Sequence, residues 1–322
     1  MSPTSANLSV IICTHNPRPD YLRRTLDGLK AQTLPQEQWE FLLIDNASEK
    51  ALADSWDLSW HPRARHVREG ALGLTPARLC GIRESKGDLL VFVDDDNVLA
   101  PDYLSKVVDL FARRSDLGVA SGRLLPEYET PPPAWFRPYE SWIAVRRIEQ
   151  SLWSNFFEPR SEPCGAGMCL RRDVALDYAR KTSEDIRQRI LDRKGSSLLS
   201  AGDVAITKVA LGLGYSMGQF IELNSLHLIP SRRVSEKYLF TLYRHLVASG
   251  QLMSWLEQPG HKPMSLPNWR VFLKAALRLI KGGNLERRLV VEEFRALGLA
   301  RQVARDAAAT LMAAEIKSGF KA

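Results

Sequence analysis

Apolar runs that alternate with helical patterns constrain this chain more than any other feature of its sequence. The stretches SVIICTHN, FLLIDNAS and LLVFVDDDN each carry a short apolar run that ends in polar residues. Leucines at helical spacing follow the first run in PDYLRRTLDGLKAQ, and a second helical pattern, TPARLCGIRES, precedes the third. Apolar runs of this length are typical of strands buried on both faces. The alternation predicts an α/β fold with a mostly parallel sheet flanked by helices.

Polar side chains stand at the carboxyl ends of these three predicted strands. Thr14–Asn16 follow the first strand, Asp45 ends the second, and Asp94–Asp96 follow the third. Because the carboxyl ends of parallel strands meet at one edge of a sheet, we expect these groups to share a ligand site there.

Three consecutive carboxylates at the end of a core strand require an explanation. If the strand continued through them, Asp94 and Asp96 would share one face and Asp95 would point to the other. Two carboxylates on one face repel each other unless a cation lies between them, and hard oxygen ligands suit Mn²⁺ or Mg²⁺. The pattern predicts a divalent-cation site. The alternative is a solvated turn that precedes the helix starting near Pro101.

The composition of the 322-residue chain narrows the class of partner without choosing one. A formal charge of +7 suits phosphate-bearing ligands, anionic lipid or nucleic acid, but the basic residues are dispersed, which argues against nucleic-acid binding. The four cysteines form no CxxC pair, and we expect them to be reduced. The sequence has neither a signal-peptide pattern nor an apolar run of about 18 residues, so the expected location is cytoplasmic.

Periodicity divides the chain near residues 125 and 230. Residues 1–125 hold the alternating elements, and residues 126–163 are rich in proline and tryptophan, which predicts an irregular wall or lid carrying Trp135, Trp142 and Trp153. A glycine-rich turn, CGAGM, a short strand and helix, and a helix that opens at Asp203 fill the region up to residue 230. Residues 231–322 have helical patterns, which predict a C-terminal helical appendage.

The segments SVIICTHN, FLLIDNAS, GLTPARLCGI and LLVFVDDDN, in this order and spacing, resemble the nucleotide-binding half of family 2 glycosyltransferases with the GT-A fold. The likeness extends over residues 8–230 and is most specific before residue 125. It implies a Rossmann-like domain in which residues 1–125 bind a nucleotide sugar and residues 126–230 bind the acceptor. It also implies a metal-dependent, inverting transfer from a donor that is most often a UDP-sugar.

The same resemblance assigns roles to particular residues. Asp94 and Asp96 take the positions of a DxD motif, and His227 matches a histidine that completes the metal shell, so the implied cofactor is Mn²⁺ or Mg²⁺. The turn Gly165–Met168 matches a loop that approaches the donor sugar and the acceptor. The residues assigned to the nucleotide are Thr14, His15, Asn16, Asp45, Arg78, Asp94 and Asp95.

Several of these residues have structural alternatives. Asp45 also suits a turn with the residues that follow it, and His15 suits a plain loop. A solvated helix face is the usual environment of a residue such as Arg78, and a lone histidine such as His227 is more often structural. The pair Arg232–Arg233 suits forked hydrogen bonds to a diphosphate, or exposure to solvent.

Asp203 is the residue that we predict as the catalytic base. The resemblance implies an acidic pair at the start of a late helix, whose aspartate deprotonates the acceptor hydroxyl. This chain has Gly202 before Asp203, so the first acid of the pair is missing. Aspartate at a helix start is also a common N-cap, and capping alone is the alternative role.

The predicted function is inverting transfer of a sugar from a nucleotide-diphosphate sugar, with UDP favoured, to an acceptor hydroxyl. The expected acceptor is a glycan, a lipid-linked molecule or a small molecule, in polysaccharide, glycolipid or other glycoconjugate biosynthesis. A nucleotidyltransferase is one alternative, although VIICTHNPRPD lacks the glycine-rich phosphate loop usual in such enzymes. A non-catalytic subunit that binds nucleotide sugars is another, because the acid before Asp203 is missing.

Basic residues stand beside apolar ones in the C-terminal helical region. The residues that carry this pattern are Lys274, Arg278, Lys281, Arg287 and Arg288. A peripheral contact with the anionic inner face of a membrane would suit the pattern. A homodimer contact or closure of the core explains it as well, and these two together are the stronger expectation.

Overall fold

A computed structural model of the protein describes residues 8–257, 275–280 and 282–319. The chain divides into two compact units. The first contains the residues up to Lys181 together with Gly202–Ser231, and the second contains Thr182–Ala201 together with the residues from Arg232 onward. All of the residues predicted to bind the nucleotide or the metal, and the predicted base, belong to the first unit.

The first unit begins with the predicted alternation of strands and helices. The elements are β1 (Leu8–Thr14), α1 (Pro19–Lys30), β2 (Trp39–Asn46), β3 (Ala64–Glu69), α2 (Leu74–Glu84) and β4 (Leu89–Val93). The strands pair in parallel in the order β3, β2, β1, β4. Every residue of β2 and β4 is buried, as their continuous apolar runs predict for strands covered on both faces.

The third predicted strand ends where its apolar run ends, so the alternation considered for Asp94–Asp96 does not apply. β4 stops at Val93, and the backbone N–H of Asn97 donates to the carbonyl oxygen of Asp94 at 3.1 Å. Residues 94–97, called the acidic turn below, lead into β5 (Asn97–Leu99), which pairs antiparallel with the distant β9 (Ser216–Ile229). This long-range pairing redirects the chain, so strand alternation does not decide where the three carboxylates point.

The remainder of the first unit follows α3 (Tyr103–Arg113). β6 (Leu117–Tyr128) runs into the proline-rich region, because residues 123–128 pair in parallel with β9. That region also contains a 3₁₀ helix at Ala134–Ile143 and the short β7 (Leu152–Ser154). The later elements are β8 (Met168–Arg171), α4 (Arg172–Glu184), α5 (Gly202–Gly212) and β9.

The strands form one nine-stranded sheet in the order β3, β2, β1, β4, β8, β6, β9, β5, with β7 also paired to β9. Its long ladders are parallel, and the short strands β5, β7 and β8 add antiparallel pairs. The predicted α/β fold with a mostly parallel sheet is therefore confirmed. Because β8 is antiparallel to β4, it begins beside the end of β4, with Met168 opposite Phe92. The glycine-rich turn before β8 thus lies next to the acidic turn.

The second unit is helical, which confirms the predicted C-terminal appendage. It contains α6 (Glu236–Leu256), a helical segment at residues 275–280 and α7 (Asn284–Gly319), and α6 packs against α7. The hydroxyl of Ser235 accepts from the backbone N–H of Tyr238 and so caps α6. No helix among the described residues is long and apolar enough to cross a membrane.

Two basic residues of the C-terminal pattern, Arg278 and Arg288, make ion pairs within this unit, and Arg287 is exposed. Arg278 pairs with Glu286 at 2.6 Å and with Glu293 at 2.7 Å, and Arg288 pairs with Glu236. Lys274 and Lys281 lie outside the described residues.

Candidate active site

The polar residues predicted at the ends of β1, β2 and β4 meet along one edge of the sheet. Thr14 stands opposite Asp45 in the register of β1 and β2. The Thr14 hydroxyl donates a hydrogen bond to Oδ2 of Asp95, in the acidic turn. Asp45 in turn stands opposite Arg68 of β3. The sheet therefore brings the ends of β1 and β2 and the turn after β4 together, as the sequence predicts, and β3 adds Arg68, which the sequence did not predict.

Asp45 is buried and already holds several protein donors. Its carboxylate accepts from the backbone N–H groups of Ser48 at 3.0 Å and Leu52 at 3.2 Å, and from Nη1 of Arg68 at 2.6 Å. Burial alone would raise the pKa of Asp45, but these hydrogen bonds and the charge of Arg68 outweigh it, so its pKa lies below the usual value. Asp45 thus forms the turn with Ser48 that the sequence offered as an alternative, and its contact with a nucleotide remains a prediction.

His15 and Asn16 form an exposed loop that neighbouring residues hold in place. Nδ1 of His15 lies 2.8 Å from the carbonyl oxygen of Asn46. The backbone N–H of Asn16 donates to the Ser48 hydroxyl at 3.0 Å, and Oδ1 of Asn16 accepts from the N–H of Glu49 at 2.9 Å. Asn16 has a φ of 47°, in the left-handed region that asparagine tolerates. The loop is fixed before any ligand arrives, and its contact with a nucleoside remains a prediction.

The acidic turn brings Asp96 next to His227. Oδ2 of Asp96 lies 3.5 Å from Nε2 of His227, and both side chains are buried. The pairing of β5 with β9 produces this contact, because it sets Asn97 opposite His227. The N–H of Leu228 also donates to the carbonyl oxygen of Asp96 at 2.8 Å. Two predicted metal ligands that are 131 positions apart in the chain therefore meet in the fold.

The chemistry of this pair fits a divalent cation that is shared with a ligand. Within residues 8–257, 275–280 and 282–319, no group of three or more His, Cys, Asp or Glu side chains is arranged to hold a metal ion. Mg²⁺ commonly uses one or two protein carboxylates and completes its shell with substrate phosphates and water, and Mn²⁺ accepts oxygen and imidazole donors. Asp96 and His227 fit such a site, and the half-buried Asp94 stays a predicted third ligand.

Asp203 lies in the first turn of α5, where backbone groups orient its carboxylate. Oδ1 accepts from the N–H of Val204 at 2.9 Å, and Oδ2 accepts from the N–H of Gly165 at 3.2 Å. The second of these bonds comes from the glycine-rich turn, 38 residues upstream. Asp203 therefore contacts the turn before β8, and that turn lies beside the end of β4.

Arg78 is buried, which overturns the alternative of a solvated helix face. Its guanidinium lies 5.9 Å from the ring centroid of Phe92, and its exposed fraction is 6%. A β-carbon added at Gly165 would lie 2.9 Å from Nη2 of Arg78 and 3.4 Å from Oδ2 of Asp203. Arg78 is thus enclosed between β4 and the glycine-rich turn, and its guanidinium and the Asp203 carboxylate both pack on the same glycine.

The segment before β8, residues 160–167, is tied to the middle of the sheet. The backbone N–H of Cys164 donates to the Ser121 hydroxyl at 2.9 Å. Gly167 has a φ of 71°, and a β-carbon there would lie 2.8 Å from the Tyr103 hydroxyl, so both the backbone and the space require glycine. We call this segment the 160–167 loop.

The charges of two carboxylates of the candidate site affect the pKa of the Cys164 thiol. Burial raises the pKa of the Cys164 thiol; Arg146 opposes this effect, and the negative charges of Asp203 and Asp94 add to it. The predicted base and the acidic turn therefore lie within electrostatic reach of the same thiol.

A comparison with known protein families shows which family this chain belongs to. The family described as Glycosyl transferase family 2 matches residues 9–178, which is more than half of the chain. The chain belongs to glycosyl transferase family 2. The resemblance inferred from the sequence motifs is thereby confirmed.

Three curated proteins are similar to this member of the family. Glycosyltransferase AglE of Haloferax volcanii is 25% identical over 259 residues, which cover 80% of this chain and 76% of AglE. Glucosyl-dolichyl phosphate glucuronosyltransferase of the same organism is 25% identical over 53% of this chain and 54% of its own length. Succinoglycan biosynthesis protein ExoM of Rhizobium meliloti is 26% identical over 56% and 57%, respectively. The chain thus spans little more than half the length of two of these relatives.

Solved structures support the GT-A fold. The structure of S. aureus TarS aligns with a TM-score of 0.51 at 11% identity, covering 92% of this chain and 55% of that chain. TarS 1–349 in complex with UDP-GlcNAc aligns with a TM-score of 0.51 at 12% identity, covering 92% and 81%. At this level of identity the likeness concerns the fold alone.

The candidate site also contains residues that the sequence did not predict. Arg68 pairs with Asp45, and Ser121 holds the 160–167 loop. Glu162 of that loop is half-buried, and burial together with the charge of Asp203 raises its pKa to about 7, against the opposing charges of Arg146 and Lys208. A single glutamate in an irregular, charge-rich segment gives no sequence signal of such a position.

The tryptophans of the proline-rich region differ in their surroundings. Trp135 packs on Phe136 with ring centroids 5.7 Å apart, and Trp142 packs on Tyr139 at 4.7 Å. Trp153 is 54% exposed, and the guanidinium of Arg114 stacks on it at 4.3 Å. Of the basic pair at Arg232–Arg233, the first is exposed and the second is half-buried.

Proposed function

We propose that this family 2 glycosyltransferase moves a sugar, with inversion, from a nucleotide-diphosphate sugar to an acceptor hydroxyl. The observation that carries the proposal is the contact of Asp203 with Gly165, which holds a carboxylate beside the loop that adjoins the acidic turn. Asp203 is thus bonded to the glycine-rich turn, and that turn adjoins the acidic turn that contains Asp96. A proton acceptor on one side and a diphosphate site on the other are the parts that a one-step displacement needs.

In the proposed step the acceptor oxygen attacks the anomeric carbon of the donor sugar. The new carbon–oxygen bond forms as the bond from that carbon to the diphosphate breaks, and the electron pair leaves with the nucleoside diphosphate. The acceptor proton passes to Asp203, whose backbone hydrogen bonds fix its orientation. The buried guanidinium of Arg78, packed on the same glycine, offers a positive charge near the departing diphosphate.

Asp96 and His227 would hold a divalent cation, with Asp94 as a further ligand. When bound, Mn²⁺ or Mg²⁺ supplies positive charge that stabilises the leaving diphosphate. The wall around the nucleoside would be formed by Thr14, His15, Asn16, Asp45 and Asp95. Thr14 and Asp95 are hydrogen-bonded to each other.

The favoured donor is a UDP-sugar. In support, a protein of the same fold, S. aureus TarS, was solved in complex with UDP-GlcNAc. A lipid-linked or polysaccharide acceptor is favoured by the names of two relatives, a glucosyl-dolichyl phosphate glucuronosyltransferase and a succinoglycan biosynthesis protein. Exposed apolar side chains on the C-terminal helices would suit a peripheral membrane contact or a homodimer contact.

The test of the proposed base is Asp203→Asn. We expect turnover to fall by about a hundredfold to ten-thousandfold, because the positioned proton acceptor is lost. Asparagine keeps the shape and the capping ability of the side chain, so donor binding measured by calorimetry should stay unchanged. Turnover is measured as UDP released from a panel of UDP-sugars with Mn²⁺, with water or added glycosides as the acceptor.

Asp109→Asn, at an exposed position of α3, is the matched control and should keep full turnover. Unchanged turnover in Asp203→Asn would refute the role of Asp203. Release of pyrophosphate instead of UDP would favour a nucleotidyltransferase.

A further inference from the structure

The backbone around Glu162 is held by hydrogen bonds to the sheet and to Asp203 of α5. Nε2 of Gln219, in β9, donates to the carbonyl oxygen of Glu162 at 2.7 Å and to that of Arg160 at 3.3 Å. Two residues after Glu162, Cys164 bonds to Ser121, and the next residue bonds to Asp203. Glu162 is therefore held between fixed anchors in the same loop that orients the predicted base.

The side chain of Glu162 faces charges from two other parts of the unit. Asp203 and Lys208 belong to α5, and Arg146 belongs to the segment that pairs with β6 at Leu124. Burial and the negative charge of Asp203 favour the protonated form of Glu162, and the two cations favour the ionised form. Gly202, immediately before Asp203, has no side chain, so a second carboxyl group can reach the start of α5 only from another element.

We propose that Glu162 is the second carboxyl group of the acceptor site and a positioning residue that acts through Asp203. The proposal rests on the proposed function of Asp203 as the base. An ionised Glu162 and an ionised Asp203 repel each other, so transfer of the acceptor proton to Asp203 removes one of two like charges. When Glu162 is protonated, this repulsion is absent and no longer assists the transfer.

This coupling predicts the sign of the pH dependence. Glu162 has a pKa of about 7 in the folded protein, so Glu162 is mostly ionised only above that pH. The rate should therefore rise as the pH rises through about 7. Glutamine at position 162 resembles the permanently protonated form, so Glu162→Gln should lose this rise.

The first experiment measures the coupling without any substrate. The protein is labelled with ¹³C in the glutamate carboxyl carbon, and the resonance of Glu162 is assigned by its loss in Glu162→Gln. We expect a titration midpoint near 7 in the unchanged protein. In Asp203→Asn the midpoint should be lower but still above the ordinary value of about 4.3, because burial is the larger cause of the raised pKa and is retained. Glu158, four residues upstream, should titrate identically in both proteins. An ordinary midpoint for Glu162, or one that Asp203→Asn does not move, overturns the proposal.

The second experiment measures UDP release from UDP-GlcNAc, with Mn²⁺ and with water as the acceptor, between pH 5.5 and about 8.5. At the upper end Glu162→Gln should be about three- to tenfold slower than the unchanged protein, and the two should converge at the lower end. Glu158→Gln, the same substitution four residues upstream, should have the rate of the unchanged protein at every pH. A profile for Glu162→Gln that keeps the rise near pH 7 overturns the proposal.

Thermal unfolding gives a third readout that does not depend on turnover. Because the pKa of Glu162 in the folded protein lies above that of an unfolded glutamate, the unchanged protein loses stability as the pH rises between about 4.3 and 7. Glu162→Gln should raise the Tm by about 2–4 °C above this window and leave it unchanged below it. No Tm difference at high pH contradicts the proposal. Absence of UDP release from the unchanged protein would count against the proposed function, while the titration would still decide the coupling.

Discussion

At the scale of single residues, Gly165 has the greatest influence on the site although it has no side chain. Its N–H orients Asp203, and the space that a β-carbon would fill is lined by Arg78 and Asp203. The nearest atom to such a β-carbon is the end of the Arg78 side chain, which can move, and not backbone. A larger residue here should therefore disturb the chemistry more than the fold.

We expect Gly165→Ala to lower UDP release by about tenfold to a hundredfold, because a displaced guanidinium and carboxylate no longer fit the reacting atoms. The Tm should change by no more than about 2 °C. Gly212→Ala is the control, since a β-carbon there meets no described atom within 4 Å. Full activity of Gly165→Ala would contradict the close packing of Arg78 and Asp203 on this glycine.

At the scale of elements, the acidic turn and β9 together form the predicted metal site. The turn ends β4, reverses the chain into β5, and pairs Asn97 with His227. Only this pairing brings an imidazole from the second half of the unit to the carboxylate of Asp96.

We expect Asp96→Ala to abolish the dependence of donor binding on Mn²⁺, because the buried oxygen ligand of the pair is removed. Calorimetric titration of UDP-GlcNAc with and without Mn²⁺ measures this effect directly. The matched control is Asp88→Ala, at the opposite and exposed end of β4, which should bind donor like the unchanged protein. Metal-stimulated binding that survives in Asp96→Ala would remove Asp96 from the metal site.

At the scale of the whole molecule, the helical unit carries exposed apolar side chains that its own packing does not cover. Ile280 is 72% exposed, and Leu277, Val291 and Phe294 are exposed as well. Arg278 and Arg288 are engaged in ion pairs within the unit, which fits a structural role for them. Arg287 is exposed near the apolar side chains. A contact with another surface would therefore depend mainly on the apolar residues.

We expect the protein to float with phosphatidylcholine vesicles that contain phosphatidylserine, with little loss at high salt, because the contact depends mainly on apolar side chains. The double variant Ile280→Glu, Val291→Glu should float less, because it adds negative charge to the contact. Leu213→Glu, an equally exposed leucine of the first unit, is the control and should float normally. No flotation of the unchanged protein, with a dimer seen by light scattering, would assign these side chains to a homodimer contact instead.

Sequence alone determined the parts of this protein that depend on local periodicity. Apolar runs located β1, β2 and β4, and because parallel strands end at one edge, they also predicted that Thr14, Asp45 and Asp94–Asp96 would meet. The helical pattern after Ser235 gave α6 and the helical unit. The order of the motifs along the chain was sufficient to identify the family.

Tertiary structure decided the remainder, because it depends on contacts between residues far apart in the chain. The direction of the acidic turn follows from pairing with β9, which strand alternation within Asp94–Asp96 could not reveal. Arg78 is buried because the glycine-rich turn packs over it. Gln219 and Ser121 hold the 160–167 loop against the sheet, and this brings Glu162 within the electrostatic influence of Asp203. An irregular segment has no period, so the positions of its side chains are set only by what the folded sheet places beside it.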